Sequence, residues 1–133
     1  MVKRSRKITR SRSFRSLTVS DGFRAFALDQ LSSIDDLIAK PMFGGFGLYA
    51  GDAFFGILAA DVLYFKVDDS NRADYENVNA QPFTPFADGR MSMSYYAVPV
   101  NVLESSHTLA KWAERSITAA RSSKKSSKRR LRR

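Results

Sequence analysis

The chain has no cysteine, one histidine, one tryptophan and four prolines among its 133 residues. Without cysteine there is no disulfide framework, no thiolate zinc site and no thiol nucleophile, which suits a reducing compartment. The single histidine, His107, leaves no histidine pair for a metal and no histidine relay. No unbroken apolar run reaches the roughly 18 to 20 residues of a membrane span, so the chain is expected to be soluble and to lie in the cytoplasm. Its length suits a single domain that folds without metal or cross-link.

Acid is missing from both ends. Residues 1–18 hold seven Lys or Arg and no acid, residues 121–133 hold eight and no acid, and residues 19–120 hold the other seven with all 13 acids. The body is therefore acidic by six charges within a chain of net charge +9. The first segment carries Lys3, Arg4, Arg6, Lys7, Arg10, Arg12 and Arg15, and the second carries Lys124, Lys125, Lys128, Arg129, Arg130, Arg132 and Arg133 beyond Arg121.

Serine-spaced basic segments with so few apolar residues are expected to be disordered arms, the second at least from Ser123. Such arms bind polyphosphate backbones by counterion release, without reading sequence. Solubilising the body is the alternative. The Arg-rich, Ser-rich first arm also resembles an organellar transit peptide, yet the same composition recurs at the far end, where a transit signal has no place.

Between the arms, Phe23, Phe26, Ala27, Leu31, Ile34, Leu37 and Ile38 recur at three- and four-residue spacing. That predicts an amphipathic helix over 20–38, capped by Ser20, favoured by Asp21 at its positive end and stopped before Pro41. Three antiparallel strands follow, near 42–50, 53–60 and 62–67, with the second central because both its faces are apolar or small. Lys66 and Asp68 fall on one face of the third strand and are placed to pair.

A two-turn helix is predicted over 71–75, capped by Asp68 or Asp69. An extended segment held by Phe83 and Phe86 leads to a strand over 93–98. Pro99 then opens a short helix through Glu104, and Ser105 or Ser106 caps a last helix whose Leu109, Trp112, Ala113, Ile117 and Ala120 form one stripe. The order is helix, three strands, helix, one or two strands, helix. It predicts an α+β two-layer domain over 19–120, an antiparallel sheet with helices packed on one side.

Little in this body carries chemistry. Gly44-Gly-Phe-Gly47 leads into strand rather than into a helix N-terminus, so it is not placed to cradle phosphate. Asp35-Asp36 and Asp68-Asp69 are sequence neighbours, which do not face each other on a helix or strand. Ser106-His107 lacks an orienting third group. Tyr49, Tyr64, Tyr95, Tyr96 and Trp112 have faces that bases could stack on, but alternation and the helical stripe favour packing for most of them.

Several ordered blocks carry a family resemblance: Met42-Phe43-Gly44-Gly45-Phe-Gly47-Leu-Tyr49, Leu63-Tyr64-Phe65-Lys66-Val-Asp68-Asp69, Asn71-Arg72 with Tyr75-Glu76, Pro82-Phe83, Met93-Ser-Tyr95-Tyr96-Ala-Val-Pro99, and Leu109 with Trp112-Ala113. From about Phe23 to Ala120 the chain resembles the N-terminal domain of the TfoX/Sxy family, bacterial regulators of natural transformation competence. The resemblance implies an α+β domain, no enzymatic activity and no cofactor. It also implies transcriptional regulation with a protein partner, such as the cyclic AMP receptor protein, in the bacterial cytoplasm or at the nucleoid. Full-length members carry a second, helical DNA-binding domain that this sequence lacks, so the chain reads as a single-domain member. Asn79-Ala80 stands where a glycine is expected before Pro82. Two functions stay open: a regulatory accessory protein whose arms bind nucleic acid, and a protein interaction module whose arms serve solubility or an acidic partner.

Overall fold

The computed structural model describes residues 16–85 and 93–131, the side chains of 93 and 124–131 excepted. Helix α1 (Asp21–Gln30) begins where Ser20, in extended conformation, accepts the amide of Phe23 on its hydroxyl at 3.2 Å. The amide of Ser20 itself donates to the Asp61 carboxylate at 2.7 Å, pinning the helix start to a sheet turn. The helix is shorter than its periodicity predicts. Ser32, Ser33, Asp35 and Asp36 are weak helix formers, Asp36 takes a left-handed conformation with φ 57°, and Leu37 and Ile38 enter a strand instead.

That strand, β1 (Leu37–Met42), was not foreseen. It includes Pro41, which an edge strand tolerates because an edge has free backbone positions. Phe43 and Gly44, at φ 52° and 92°, then form a two-residue turn, the positive-φ geometry that matches strand twist. The predicted strand from Met42 is thus split between the end of β1 and β2 (Gly45–Ala50). β3 (Ala53–Ala59) and β4 (Val62–Lys66) follow through turns at Gly51 and at Ala60-Asp61.

Helix α2 (Arg72–Glu76), the short β5 (Pro82–Phe83), β6 (Met93–Ala97), the single-turn α3 (Val100–Leu103) and α4 (Ser106–Leu131) complete the order. The strands make one antiparallel sheet in the order β1-β2-β3-β4-β6-β5, with β3 inside it and buried at nearly every position. Asn79, where a glycine is expected, adopts φ 54°, a conformation asparagine tolerates better than most residues.

A bulge decides which side chains face which way. Leu48 pairs with Gly56 and Tyr49 with Phe54, so Phe55 is the extra residue. Ala53 and Phe55 therefore join the helix-side core while Ile57 and Ala59 turn to the other face. The helix-side core packs Ala27 and Leu31 of α1, Tyr75 of α2, Val102 of α3 and Leu109, Ala113 and Ile117 of α4 against Leu48, Phe55, Leu58 and Phe65. Each large buried side chain of this kind contributes about 1.5–3 kcal/mol by leaving water. All four helices thus pack on one side of the sheet in an α+β domain.

The opposite face has its own smaller cluster: Leu17, Ile57, Ala59, Tyr64, Phe83 and Tyr95. Leu17 is buried, and its carbonyl accepts the amide of Ala60 at 3.1 Å. The basic first segment, expected to extend through residue 18, is therefore anchored to the sheet by Leu17. A Cβ on Gly45 would stand 2.2 Å from the Leu58 carbonyl oxygen and 3.1 Å from that of Leu17. Only glycine permits this approach of three backbone segments.

The last helix departs furthest from expectation. Ser105 caps it, its hydroxyl accepting the amide of Thr108 at 3.3 Å, and Leu109, Ala113, Ile117 and Ala120 are buried as the stripe predicts. The backbone then stays helical to Leu131, into the stretch from Ser123 that is expected to be disordered. Lys and Arg are good helix formers, no Gly or Pro interrupts the run, and cations suit the negative end of a helix.

Candidate nucleic-acid interface

The candidate interface has two parts, the basic segments and the sheet face turned away from the helices. Lys3, Arg4, Arg6, Lys7, Arg10, Arg12 and Arg15 lie outside the described residues, as do Arg132 and Arg133. Lys124, Lys125, Lys128, Arg129 and Arg130 lie on the helical backbone of α4. Leu17, near the end of the first segment, packs on the sheet face opposite the helices.

That face carries a line of rings crossing several strands. Tyr49 of β2 stacks on Phe54 of β3 with ring centroids 5.0 Å apart and planes 18° apart, and Phe54 lies 5.1 Å from Tyr95 of β6. Tyr95 is buried, its hydroxyl donating to the Phe54 carbonyl at 2.9 Å, whereas Tyr49 and Phe54 are half-buried. Burial, and to a lesser degree Tyr49, pushes the Tyr95 phenol pKa up, so it stays a neutral donor. A cation closes each end. The Nζ of Lys40 sits 4.6 Å over the Tyr49 ring, and that of Lys66 sits 5.3 Å over Tyr95 while donating to Ser94 at 3.0 Å.

The other motif residues are distributed by the sheet's alternation. Met42 and Tyr64 face this same side, Tyr64 packing edge-on to Phe83 at 5.1 Å, while Phe43 is 58% exposed in its turn. Phe65 packs on Phe55 at 5.7 Å in the helix-side core, where Tyr96 and Trp112 both contact Tyr75. Tyr95 and Tyr96 do take opposite faces, and both are largely covered. Pro82 pairs with Tyr96, and Pro99 is the N-cap of α3. Gly44 and Gly47 lie in the turn and on β2, and a Cβ on Gly47 would press on the Phe54 and Tyr49 rings at 3.1 and 3.3 Å.

Neither Asp68 nor Asp69 caps α2. Asp68 accepts the amide and hydroxyl of Ser70 rather than meeting Lys66, and Asp69 pairs with Arg72 at 3.1 Å. The N-cap is Asn71, but its side chain is buried in another role: it accepts the Asp68 amide at 2.8 Å and donates to the Lys66 carbonyl at 3.1 Å. Arg115 of α4 pairs with Asp74 and donates to the Ser70 carbonyl. Among the described residues no group of three or more His, Cys, Asp or Glu is placed to hold a metal, and no helix is long and apolar enough to cross a membrane.

Sequence reading missed Lys40 and Phe54. Lys40 was hidden by its assignment to a helix end, and Phe54 by the bulge that brings it opposite Tyr49. Had 37–42 been read as a strand, the alternation of Ile38, Lys40 and Met42 would have exposed the cation.

The chain matches the family model of the TfoX N-terminal domain over residues 29–120. It belongs to the TfoX N-terminal domain family. No curated protein matches it. The matched range holds the whole sheet and α4 up to Ala120, and both basic segments fall outside it. In this TfoX-like chain the basic segments are thus additions to the family domain.

Proposed function

We propose that this TfoX-like chain is a non-enzymatic regulatory or accessory protein of the competence type. Its basic segments bind nucleic acid without reading sequence, and its acidic body engages a protein partner such as a transcription factor. The carrying observation is the separation of charge: fifteen cations and no acid in the two end segments, against a body of net −6. A uniform surface of mixed charge would keep a domain soluble without such separation. The helical continuation of α4 supports the reading, since a backbone already ordered gives up less entropy on binding. The acidic surfaces of the body remain available to a different partner at the nucleoid.

The test is a gel shift of the full chain on duplex DNA across a salt series. If about half of the end-segment cations meet phosphates, log K falls with log salt at a slope of roughly −6. Replacing the lysines and arginines of both segments by glutamine should abolish the slope. Undiminished binding by that variant would take the nucleic-acid role away from the end segments, and a wild-type slope near zero would leave the chain as a protein interaction module without a DNA role.

A further inference from the structure

We infer that the sheet face turned away from the helices binds single-stranded nucleic acid, stacking an unpaired base on the Tyr49 ring where Lys40 now lies, with Phe54 behind it, while Lys40 and Lys66 hold the flanking phosphates. The inference rests on the nucleic-acid reading above and assigns it a substrate class that the basic segments alone do not select.

Three observations carry it. The first is ring geometry: half-buried Tyr49 stacks at 5.0 Å on Phe54, which is held from its other side by buried Tyr95 at 5.1 Å, whose hydroxyl bonds the Phe54 carbonyl. Rings fixed this way lose little freedom when a base joins the stack. The second is charge. Lys40 and Lys66 are two of the three lysines between residues 19 and 120, and among the described strand residues of this face none is Asp or Glu. An otherwise acidic body therefore presents its rings between two cations. The third is position, because Leu17, two residues after the last cation of the first segment, packs on this same face.

The Lys40 ammonium lies over Tyr49 in the unliganded chain. An exposed cation–π contact is the weaker of the two interactions open to that ring, so a base displaces it. The freed ammonium then has a phosphate to meet. A duplex keeps its bases paired and stacked, and so does not satisfy the rings.

The experiment measures fluorescence anisotropy with the full chain and three probes: oligo-dT, an abasic oligonucleotide of equal length, and duplex DNA. Oligo-dT should bind about tenfold tighter than the abasic strand, the contribution of stacked bases. Tyr49→Leu should erase or sharply reduce that preference, whereas Lys40→Gln should weaken binding of both strands and leave the preference in place. In the wild-type chain the aromatic proton resonances of Tyr49 and Phe54 should shift upfield on adding oligo-dT, a readout that does not depend on any variant folding. Equal affinity for oligo-dT and the abasic strand overturns the inference while leaving the basic-segment reading intact. So does a preference that survives Tyr49→Leu, or a duplex that shifts the Tyr49 and Phe54 resonances as far as oligo-dT does. Loss of the salt slope with retention of the base preference, in the glutamine variant of the end segments, supports both.

Discussion

The hydroxyl of Ser116 donates to the backbone carbonyl of Lys66 at 2.8 Å, joining the middle of α4 to the end of β4 across 50 positions of sequence. Ser116 is fully buried, and Asn71 beside it is 2% exposed. The Lys66 carbonyl also accepts from the Asn71 amide at 3.1 Å, and the Asn71 oxygen in turn holds the Asp68 amide. Removing Ser116 therefore still leaves Lys66 a donor, whereas removing Asn71 strips both Asp68 and Lys66 of a partner. Ser116→Ala should cost about 1 kcal/mol and Asn71→Ala about 2–3 kcal/mol. Urea unfolding checks the order; equal losses would mean the two bonds are not shared as described.

Tyr75 makes the opposite case. Its ring is buried against Trp112 at 4.9 Å, while its hydroxyl, near Ser116, finds no partner in hydrogen-bond geometry among the described residues. A buried hydroxyl without a partner costs desolvation and returns nothing. Tyr75→Phe is expected to change stability by less than about 1 kcal/mol, in either direction, and Tyr75→Ala to cost about 3–5 kcal/mol. Thermal melts of the two variants separate the ring's contribution from that of the hydroxyl.

The hairpins from β2 to β4 were legible because Gly51-Asp52 and Asp61 punctuate an apolar run too rich in glycine to be helical. β1 was not, because Ile34, Leu37 and Ile38 satisfy a helical period as well as a strand period, and Pro41 reads equally as a helix stop or an edge residue. The length of α4 escaped for a different reason. After Ala120 no tertiary stripe remains to be read, and only the helix propensity of lysine and arginine carries the backbone on to Leu131. The charge of the end segments was plain from composition, but the ring line needed positions 49, 54 and 95 to meet across strands. That meeting depends on a bulge, and bulges leave no reliable trace in alternation.

Leu17 tests how the first segment is held. It is 2% exposed on the face away from the helices, its carbonyl holds Ala60, and Gly45 leaves room for its backbone. Leu17→Ala is expected to cost about 2–4 kcal/mol through the cavity it leaves. Gly45→Ala should be worse, because its new methyl meets the backbone of Leu58 rather than a side chain that can move aside. The check is the urea midpoint of each variant. A Gly45→Ala chain as stable as wild type would show that the two strands can separate without loss.

Tyr95 should make the fold sensitive to alkali. Its phenol is buried and donates to the Phe54 carbonyl, so ionisation would remove the donor and set a phenolate against a carbonyl oxygen. Burial raises its pKa above the ordinary phenol value of about 10. The folded chain thus holds this proton more tightly than the unfolded chain does. By linkage, stability is full below about pH 10 and declines as the pH rises toward the folded value. By pH 11 the loss attributable to Tyr95 should be on the order of 1 kcal/mol. Tyr75, whose pKa burial raises in the same direction, adds a similar loss. Tyr95→Phe sacrifices the hydrogen bond, so it should be less stable than wild type at pH 8, yet its stability should fall less steeply between pH 9 and pH 11. Denaturant midpoints of the two chains across that range decide the matter, since parallel declines would place the alkaline sensitivity elsewhere.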